Sequence, residues 1–239
     1  MAGPGQLPLR LHAGGQTRER LVALRQAVIA SWTGRDRQAM EQRLVELEAL
    51  GIPRPPAIPM LYPIAASRVT TSPVVEVIGA HTSGEAELVL LALQGRIWVG
   101  VGSDHTDRTV EATDAALSKQ LCDKPICRDF WSLEDIEAHW DTLCLRSHVT
   151  SADGHRALYQ EGEVAAMLPI RDLLALWSTT AAADTALLFC GTLPTIGGIR
   201  ATPRFEFELE DPVMGRRIAH GYDLVTLPFS LAPMAPSRS

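Results

Sequence analysis

The strongest constraint on the fold is a series of short, strongly apolar segments in the part of the chain after residue 73. Their length and their content of β-branched residues predict strands rather than helices. The predicted strands are Val74–Ile78, Glu85–Leu93, Ile97–Val101, Ala186–Cys190 and Phe205–Leu209. Between them, Leu133–Leu145 and Val164–Trp177 have helical spacing. Because few helices separate the strands, the pattern predicts a β-rich α+β fold of mixed sheets rather than a doubly wound parallel sheet.

The residues before this region follow a different pattern. Residues 7–12 alternate apolar and polar side chains, which predicts a short strand. Residues 17–50 have helical spacing and predict two amphipathic helices separated by Gly34. The apolar faces are Leu21, Leu24, Ala27 and Val28 in the first helix and Met40, Leu44, Leu47 and Leu50 in the second. A proline-rich linker follows, so we expect an N-terminal strand and helical extension over 1–56, a main domain over 57–228 and a tail over 229–239.

Composition and charge restrict the class of partner. The 239-residue chain has a net charge of −6 and no run of basic residues, so we expect no nucleic-acid binding. The longest apolar stretch, Leu88–Leu93, is much shorter than the ~20 residues that a membrane helix needs. Met1–Gly15 lacks the pattern of a secretory signal, and the four cysteines are sparse, as in reduced proteins. We therefore expect a cytoplasmic protein that does not bind membranes.

Two glutamates at the start of a predicted strand give the first indication of function. Side chains two residues apart in a strand point to the same face, so Glu85 and Glu87 present neighbouring carboxylates. Two like charges beside a buried edge are costly unless a cation lies between them. Two interpretations are open at this point, a divalent-ion site or the solvated polar face of an edge strand.

A second acidic segment follows the next predicted strand. The glycine-interrupted strand ending at Gly102 leads into Ser103 and Asp104, and small residues at such a point let a ligand approach the backbone. Asp104 adds a third carboxylate, while Arg108 is available to pair with a carboxylate or with a substrate anion. The two segments together favour a metal site over a solvated edge.

These segments resemble the fumarylacetoacetate hydrolase family. That family has a Glu-x-Glu pair on a strand, matched here by Glu85 and Glu87, and then an Asn-Asp-x-(Ser/Thr)-x-Arg turn, matched by residues 103–108. It also has a lysine further along, matched by Lys124, and a strand that runs into Gly-Thr-Pro, matched by Gly191 and Thr192. An acidic hairpin follows, matched by residues 205–215. The landmarks occur in the family's order over roughly residues 60–225.

The resemblance implies a fold, a cofactor and residue roles. The fold is a twisted β-roll of the fumarylacetoacetate hydrolase type, which here has the N-terminal helical extension and pairs as a homodimer. Glu85, Glu87 and Asp104 are the implied ligands of Mg²⁺, or of Mn²⁺ or Ca²⁺. Lys124 is the implied catalytic lysine, and Gly191 and Thr192 are implied to close the substrate site together with Arg108.

The sequence also departs from the family. A His and a Glu that activate water usually lie just upstream of the Glu-x-Glu strand, and no such pair occurs between Pro63 and Gly84. His81 is a candidate base or ligand there, although a lone loop histidine is more often neither. His105 adjoins Asp104, but its side chain is expected to point away from the site. Metal and anion binding are therefore better supported than water activation.

The sequence-based hypothesis is a divalent-metal-dependent hydrolase or lyase. It would polarise a small 2-oxo acid or 1,3-dicarbonyl substrate through a metal-stabilised enolate, a route open to C–C hydrolysis, decarboxylation, hydration and tautomerisation. His81 and Lys124 are its candidate catalytic residues. The alternative is a small-molecule-binding or structural homologue that has lost turnover, which the missing His/Glu pair would favour.

Overall fold

Strands are the commonest secondary structure in the described residues, as the apolar segments predict. The structure, a computed structural model, describes residues 6–49, 54–178 and 185–228, without the side chains of residues 43 and 47. In chain order the strands are β1 (Gln6–Ala13), β2 (Gln16–Ala23), β3 (Gln26–Ser31), β4 (Met60–Ile64), β5 (Val69–Thr70), β6 (Val74–Val77), β7 (Thr82–Ser83), β8 (Ala86–Leu93), β9 (Arg96–Ser103), β10 (Thr106–Asp107), β11 (Lys124–Pro125), β12 (Asp129–Ser132), β13 (Cys144–Thr150), β14 (Arg156–Glu163), β15 (Ala186–Thr192), β16 (Arg204–Asp211) and β17 (Arg216–Thr226). The α-helices are α1 (Arg37–Ala49), α2 (Arg108–Glu111), α3 (Ala115–Leu121) and α4 (Ile170–Ser178), and 3-10 helices cover Ala66–Arg68, Leu133–Asp135, Glu137–Thr142 and Val164–Ala166.

Two large mixed sheets dominate the architecture. The first has eight strands in the order β2-β1-β12-β9-β8-β15-β3-β4, and the second has five in the order β14-β13-β16-β17-β6. Both combine parallel and antiparallel pairs, since β3 runs parallel to β15 and β6 runs parallel to β17. Two short pairs, β7 with β10 and β5 with β11, complete the ladders. This confirms the predicted β-rich, mixed-sheet fold.

The central strands of the eight-stranded sheet are buried on both faces. Alternate residues of β8 point to opposite sides, so Leu88 and Leu90 join a core shared with the five-stranded sheet, whereas Val89 and Leu91 join a second apolar cluster. This double burial explains why β8 is a continuous apolar run rather than an alternating one. It also places the end of β8, and the acidic residues there, next to the closely packed core.

The first predicted helix was wrong. Residues 17–33 are not helical in the structure but form β2 and β3, which are part of the eight-stranded sheet. In β3, Ala27 and Val28 are buried on opposite faces of the sheet, while Leu21 in β2 is exposed. A short apolar run that is buried on both faces cannot be distinguished from a helical face by spacing alone.

The second predicted helix is confirmed as α1. Asp36 caps it by accepting hydrogen bonds from the N–H groups of residues 38 and 39, and Leu44 is buried. The side chain of Leu47, residue Leu50 and the tail from residue 229 lie outside the described parts of the chain. The domain boundaries stay a prediction, although the eight-stranded sheet contains strands from both sides of residue 56.

The other predicted elements mostly agree with the structure. Each of the predicted strands corresponds to an observed one within a few residues, and the short strand near residue 7 is β1. The predicted helix Leu133–Leu145 is two 3-10 segments that lead into β13, and Val164–Trp177 contains a 3-10 segment followed by α4. Within the described ranges, no helix is long and apolar enough to span a membrane.

Candidate metal centre

Three acidic side chains meet at one end of the hairpin formed by β8 and β9. Glu85 immediately precedes β8, Glu87 lies in it, and Asp104 immediately follows β9. The pairing of Ala86 with Ser103 aligns the strand ends, and the Asp104 N–H donates to the Glu85 carbonyl at 3.0 Å. One carboxylate oxygen from each acid lies within 4.8 Å of the others. The structure therefore brings together the three residues that the sequence predicts as metal ligands.

These carboxylates are withdrawn from water. Glu87 is 2% exposed and Asp104 is fully buried, while the Glu85 side chain is 17% exposed. Burial, followed by the charge of Asp104, raises the pKa of Glu87 well above its usual range. Burial also raises the pKa of Glu85, although Arg108 opposes this shift. A cation would relieve both shifts, and an all-oxygen set of buried carboxylates is the donor set that hard divalent ions prefer. The residues present thus fit such an ion.

A backbone N–H group orients Glu87. The N–H of Gly191, in β15, donates to Glu87 Oε2 at 2.8 Å. Gly191 has φ +94°, and a Cβ added there would lie 1.9 Å from Oγ1 of Thr33. Thr33 is itself held in place, because its hydroxyl donates to the carbonyl of Cys190 at 2.7 Å. Only glycine fits this position, and its N–H group contacts a candidate ligand of the metal rather than open substrate space.

Two buried lysines neutralise Asp104. The ammonium of Lys119 donates to Asp104 Oδ2, and Nζ of Lys124 lies 3.2 Å from Oδ1. Burial alone would raise the pKa of Asp104, but the charges and hydrogen bonds of both lysines outweigh it and hold that pKa below its usual range. Lys124 also donates to the carbonyl of His105 and is fully buried. Asp104 is therefore ionised and firmly positioned.

The two lysines differ in their electrostatic surroundings. Burial lowers the pKa of Lys119, but Asp104 and Glu87 more than offset this, so the net shift is upward. Burial also lowers the pKa of Lys124, and Asp104 offsets it only in part, so the net shift is downward. Lys119 thus interacts electrostatically with Glu85 and Glu87 as well as with Asp104. Its Nζ also lies 5.7 Å from the centre of the Tyr62 ring.

Arg108 is used mainly within the protein. Its Nε donates to Ser83 Oγ at 2.7 Å and one terminal nitrogen donates to Glu111 at 2.7 Å. The other terminal nitrogen lies 3.3 Å from Glu85 Oε1, but the geometry is not that of a hydrogen bond. Arg108 and Glu85 thus form an ion pair. This buried nitrogen of Arg108 can still donate a hydrogen bond. Arg108 therefore borders the carboxylate group, as a substrate anchor would need to do.

Of the remaining predicted site residues, Thr192 lies beside the carboxylates and His81 lies apart from them. The Thr192 hydroxyl lies beside the site, where it donates to the carbonyl of Ala86 at 2.8 Å. His81 is exposed, and its backbone carbonyl accepts from the Arg108 N–H at 2.8 Å. Among the described residues, the imidazole of His81 is not part of the group of ligand atoms that includes Glu87. The structure thus does not bring His81 together with the acidic residues.

His105 points away from the metal site, as expected. Its Nδ1 shares a 2.8 Å hydrogen bond with the Tyr222 hydroxyl, which also lies 2.9 Å from Ser103 Oγ. Burial, followed by the charge of Lys124, lowers the pKa of His105 to about 3, so the ring is neutral. Its Nε2 has no hydrogen-bond partner in the described part of the chain. This neutral network supports the turn that carries Asp104.

Comparison with known sequences identifies the family. A model described as "Protein of unknown function (DUF2848)" matches residues 30–222, which include every site residue named above. The chain belongs to this DUF2848 family. No curated protein matches the sequence of the chain.

Comparison with solved structures assigns the fold of this DUF2848 member. A provisionally named fumarylpyruvate hydrolase from Burkholderia cenocepacia aligns with a TM-score of 0.62 and 16% identity, over 92% of this chain and 96% of that one. A provisionally assigned fumarylacetoacetate hydrolase family protein from Yersinia pestis CO92 aligns with a TM-score of 0.61 and 15% identity, over 87% and 96%. A 2-keto-3-deoxy-D-arabinonate dehydratase complexed with magnesium and 2,5-dioxopentanoate aligns with a TM-score of 0.59 and 15% identity, over 88% and 76%. The DUF2848 chain thus has the fold of the fumarylacetoacetate hydrolase family, as its motifs indicate.

Sequence reasoning missed one charged residue of the site. Lys119 lies in α3, which Asp114 caps by accepting from the Leu117 N–H at 2.9 Å. A signal for it exists in composition, because Lys119 and Lys124 are the only lysines in this DUF2848 chain and all its other basic residues, apart from histidine, are arginines. Lysine carries a compact point charge where arginine carries a planar fork, so the choice of lysine at both positions is physically specific.

Proposed function

We propose that the protein is a divalent-metal-dependent enzyme acting on a small 2-oxo acid or 1,3-dicarbonyl substrate. The observation that carries this proposal is the convergence of the Glu85, Glu87 and Asp104 carboxylates in a buried position. The similar dehydratase structure, which holds magnesium and a dioxo acid, supports such a site on this fold. The ion is Mg²⁺, with Mn²⁺ and Ca²⁺ as chemically similar alternatives.

The protein's own residues prepare the site. An ion bound by these carboxylates supplies Lewis-acid polarisation of a substrate carbonyl. Gly191 fixes the orientation of Glu87, while Lys119 and Lys124 keep Asp104 ionised. Because these groups are held by buried hydrogen bonds, little reorganisation is needed when charge develops on the substrate.

Lys119 is the better candidate for contact with substrate. Lys124 is fully buried and its ammonium is divided between Asp104 and the carbonyl of His105, which suits support of the turn. Lys119 retains slight exposure and interacts electrostatically with all three carboxylates. We propose that Lys119 adds positive charge where an enolate oxygen develops, and that Lys124 acts through Asp104. The catalytic role that the family resemblance implies for Lys124 is tested in the same assay as that of Lys119.

We propose that the reaction proceeds without His81 as a base. The exposed position of His81, apart from the acidic group, supports decarboxylation or tautomerisation, which need no activated water, over C–C hydrolysis and hydration, which do. Arg108 is proposed to anchor the anionic end of the substrate with its terminal nitrogen that has no hydrogen-bond partner among the described residues, while Thr192, whose hydroxyl donates to Ala86, is proposed to border the site. The sequence has no His/Glu pair between Pro63 and Gly84. The alternative function, a binding protein without turnover, is also compatible with that.

A panel of 2-oxo acids and acylpyruvates, assayed with Mg²⁺ and with Mn²⁺, tests this function. We expect turnover with at least one substrate and its complete loss in EDTA. Lys119→Met keeps the apolar stem but removes the charge, so kcat should fall by ~10²-fold or more, the scale of one preorganised electrostatic group. Lys124→Met removes the contacts that hold one oxygen of Asp104 and the carbonyl of His105, so its main effect should be on Mn²⁺ affinity, and an equal fall in kcat would support the catalytic role that the resemblance implies for Lys124. Mn²⁺ binding without turnover on any substrate would favour the alternative, and activity that persists in EDTA would exclude the metal-dependent function.

A further inference from the structure

A buried glutamine lies between the two sheets beside the carboxylate group. Gln160 is fully buried in β14, and both atoms of its amide are satisfied twice. Its Oε1 accepts from the Ala86 N–H at 2.9 Å and from the Ser147 hydroxyl at 2.7 Å. Its Nε2 donates to Thr192 Oγ1 and to the Leu193 carbonyl, each at 2.7 Å. Such a fully satisfied amide holds its neighbours in one arrangement.

A β-bulge gives Gln160 this position. Ser147 pairs with Gln160, but the next residue of β13, His148, pairs with Leu158, so Tyr159 is an extra residue in β14. Both Tyr159 and Gln160 are fully buried, although neighbouring strand residues ordinarily face opposite sides. Bulges re-aim side chains in this way and are common beside functional sites.

The contacts of Gln160 form a closed ring with the metal-ligand strand. The Ala86 N–H donates to Gln160, the Gln160 amide donates to Thr192, and the Thr192 hydroxyl donates to the Ala86 carbonyl at 2.8 Å. Ala86 is the residue between Glu85 and Glu87, and Thr192 follows the glycine whose N–H holds Glu87. The ring thus joins the two backbone segments that determine where the Glu87 carboxylate lies.

We propose that Gln160 is a positioning residue that sets the geometry of the metal-binding carboxylates through Ala86 and Thr192. The inference rests on the proposed metal-dependent function. The positioning depends on the hydrogen bonds of the Gln160 amide and not on the volume that the side chain fills. Ser147 supplies the matched control, because its hydroxyl donates to the same oxygen of Gln160 but lies outside the ring of Ala86, Gln160 and Thr192.

Mn²⁺ titration of three variants provides the first test. Gln160→Met keeps the length of the side chain and removes the ring, so Mn²⁺ affinity should fall by about 10- to 100-fold, as on loss of a group that orients metal ligands. Thr192→Val breaks the same ring from its other side and should lower the affinity similarly. Ser147→Ala leaves the ring closed and should bind Mn²⁺ within about threefold of the wild type. Equal losses in Gln160→Met and Ser147→Ala would overturn the proposal.

Amide hydrogen exchange in the metal-free protein provides a second test that does not depend on metal binding. The N–H groups of Ala86 and Gly191 should exchange faster in Gln160→Met than in Ser147→Ala, with the protection of β16 unchanged in both. Unchanged exchange at Ala86 and Gly191 would overturn the positioning role. If the wild type does not bind Mn²⁺ at all, the proposed function fails, while the exchange data still decide the role of Gln160. Should Gln160→Met not fold, Thr192→Val against Ser147→Ala decides both tests.

Discussion

At the scale of single residues, the protonation of Glu87 links the site to pH. Burial and the charge of Asp104 raise the pKa of Glu87 above its ordinary value of 4.5. In the metal-free protein, the folded state therefore keeps this proton at pH values where the unfolded chain has lost it. The stability that this group contributes is fully present below the unfolded-state pKa and is lost as the pH rises through the folded-state pKa.

We accordingly predict a pH-dependent difference between the wild type and Glu87→Gln in EDTA. Glutamine has nearly the same shape and can still accept from Gly191, but it does not titrate. From about pH 5 upward, the free energy of unfolding of the wild type should fall relative to the variant, by at most about 1.4 kcal/mol per pH unit. The comparison cancels the titration of groups that do not interact with Glu87, such as His105. Chemical denaturation across pH measures the difference, and a constant gap would contradict the raised pKa.

A related outcome is expected when Mg²⁺ is present. An ion that binds only the folded state stabilises it by mass action, so Mg²⁺ should raise the melting temperature of the wild type. The same addition should have little effect on Glu87→Gln, because one of the three carboxylates is missing.

At the scale of elements, β3 determines how the N-terminal residues are integrated. β3 lies between β15 and β4, and Ile29 pairs with Phe189 of β15, the strand that carries Gly191. Ile29 is fully buried, whereas Leu21 in the edge strand β2 is 54% exposed. In an amphipathic helix over residues 17–33, Leu21 would instead have been part of the buried face.

Truncation of these two side chains tests the assignment of strands. Ile29→Ala should lower the free energy of unfolding by about 2–5 kcal/mol, because it leaves a cavity in a closely packed core. Leu21→Ala should change it by no more than about 0.5 kcal/mol, as is usual at exposed positions. Urea denaturation of both variants gives the comparison. Comparable losses would restore the helical interpretation.

At the scale of the whole molecule, apolar side chains remain at the open edge of the five-stranded sheet. Val74 and Ile78 are exposed at and just beyond β6, and Val225 is exposed in the neighbouring β17. An edge strand with unpaired backbone groups and exposed apolar residues favours association. The homodimer expected from the family resemblance stays a prediction. Light scattering at micromolar concentration should give about twice the chain mass of 26.0 kDa, and a monomer mass would contradict it.

The sequence by itself determined the strands of the core and the candidate metal ligands. Both depend on local patterns, since alternation specifies which residues of β8 face each core and two-residue spacing puts Glu85 and Glu87 together. The family resemblance added the correct order of landmarks and the fold type. The same reasoning failed for β3, because burial on both faces of a sheet removes the alternation that marks a strand, and it failed for β2, because an exposed edge strand has no apolar alternation to detect.

Only the tertiary structure decided which groups surround the carboxylates. Gly191 and Glu87 are 104 residues apart in the sequence, and Gln160 and Ala86 are 74 residues apart. Hydrogen bonds between such distant residues produce no periodic pattern in the sequence. Lys119 and Lys124 are both on Asp104, although the resemblance pointed to Lys124 alone. A local pattern specifies which face a side chain takes, but its partner on that face depends on how distant strands are ordered in the sheets. That order is set by the packing of the whole chain, which is why the candidate ligands could be predicted from local spacing, whereas Lys119 and Gln160 could not.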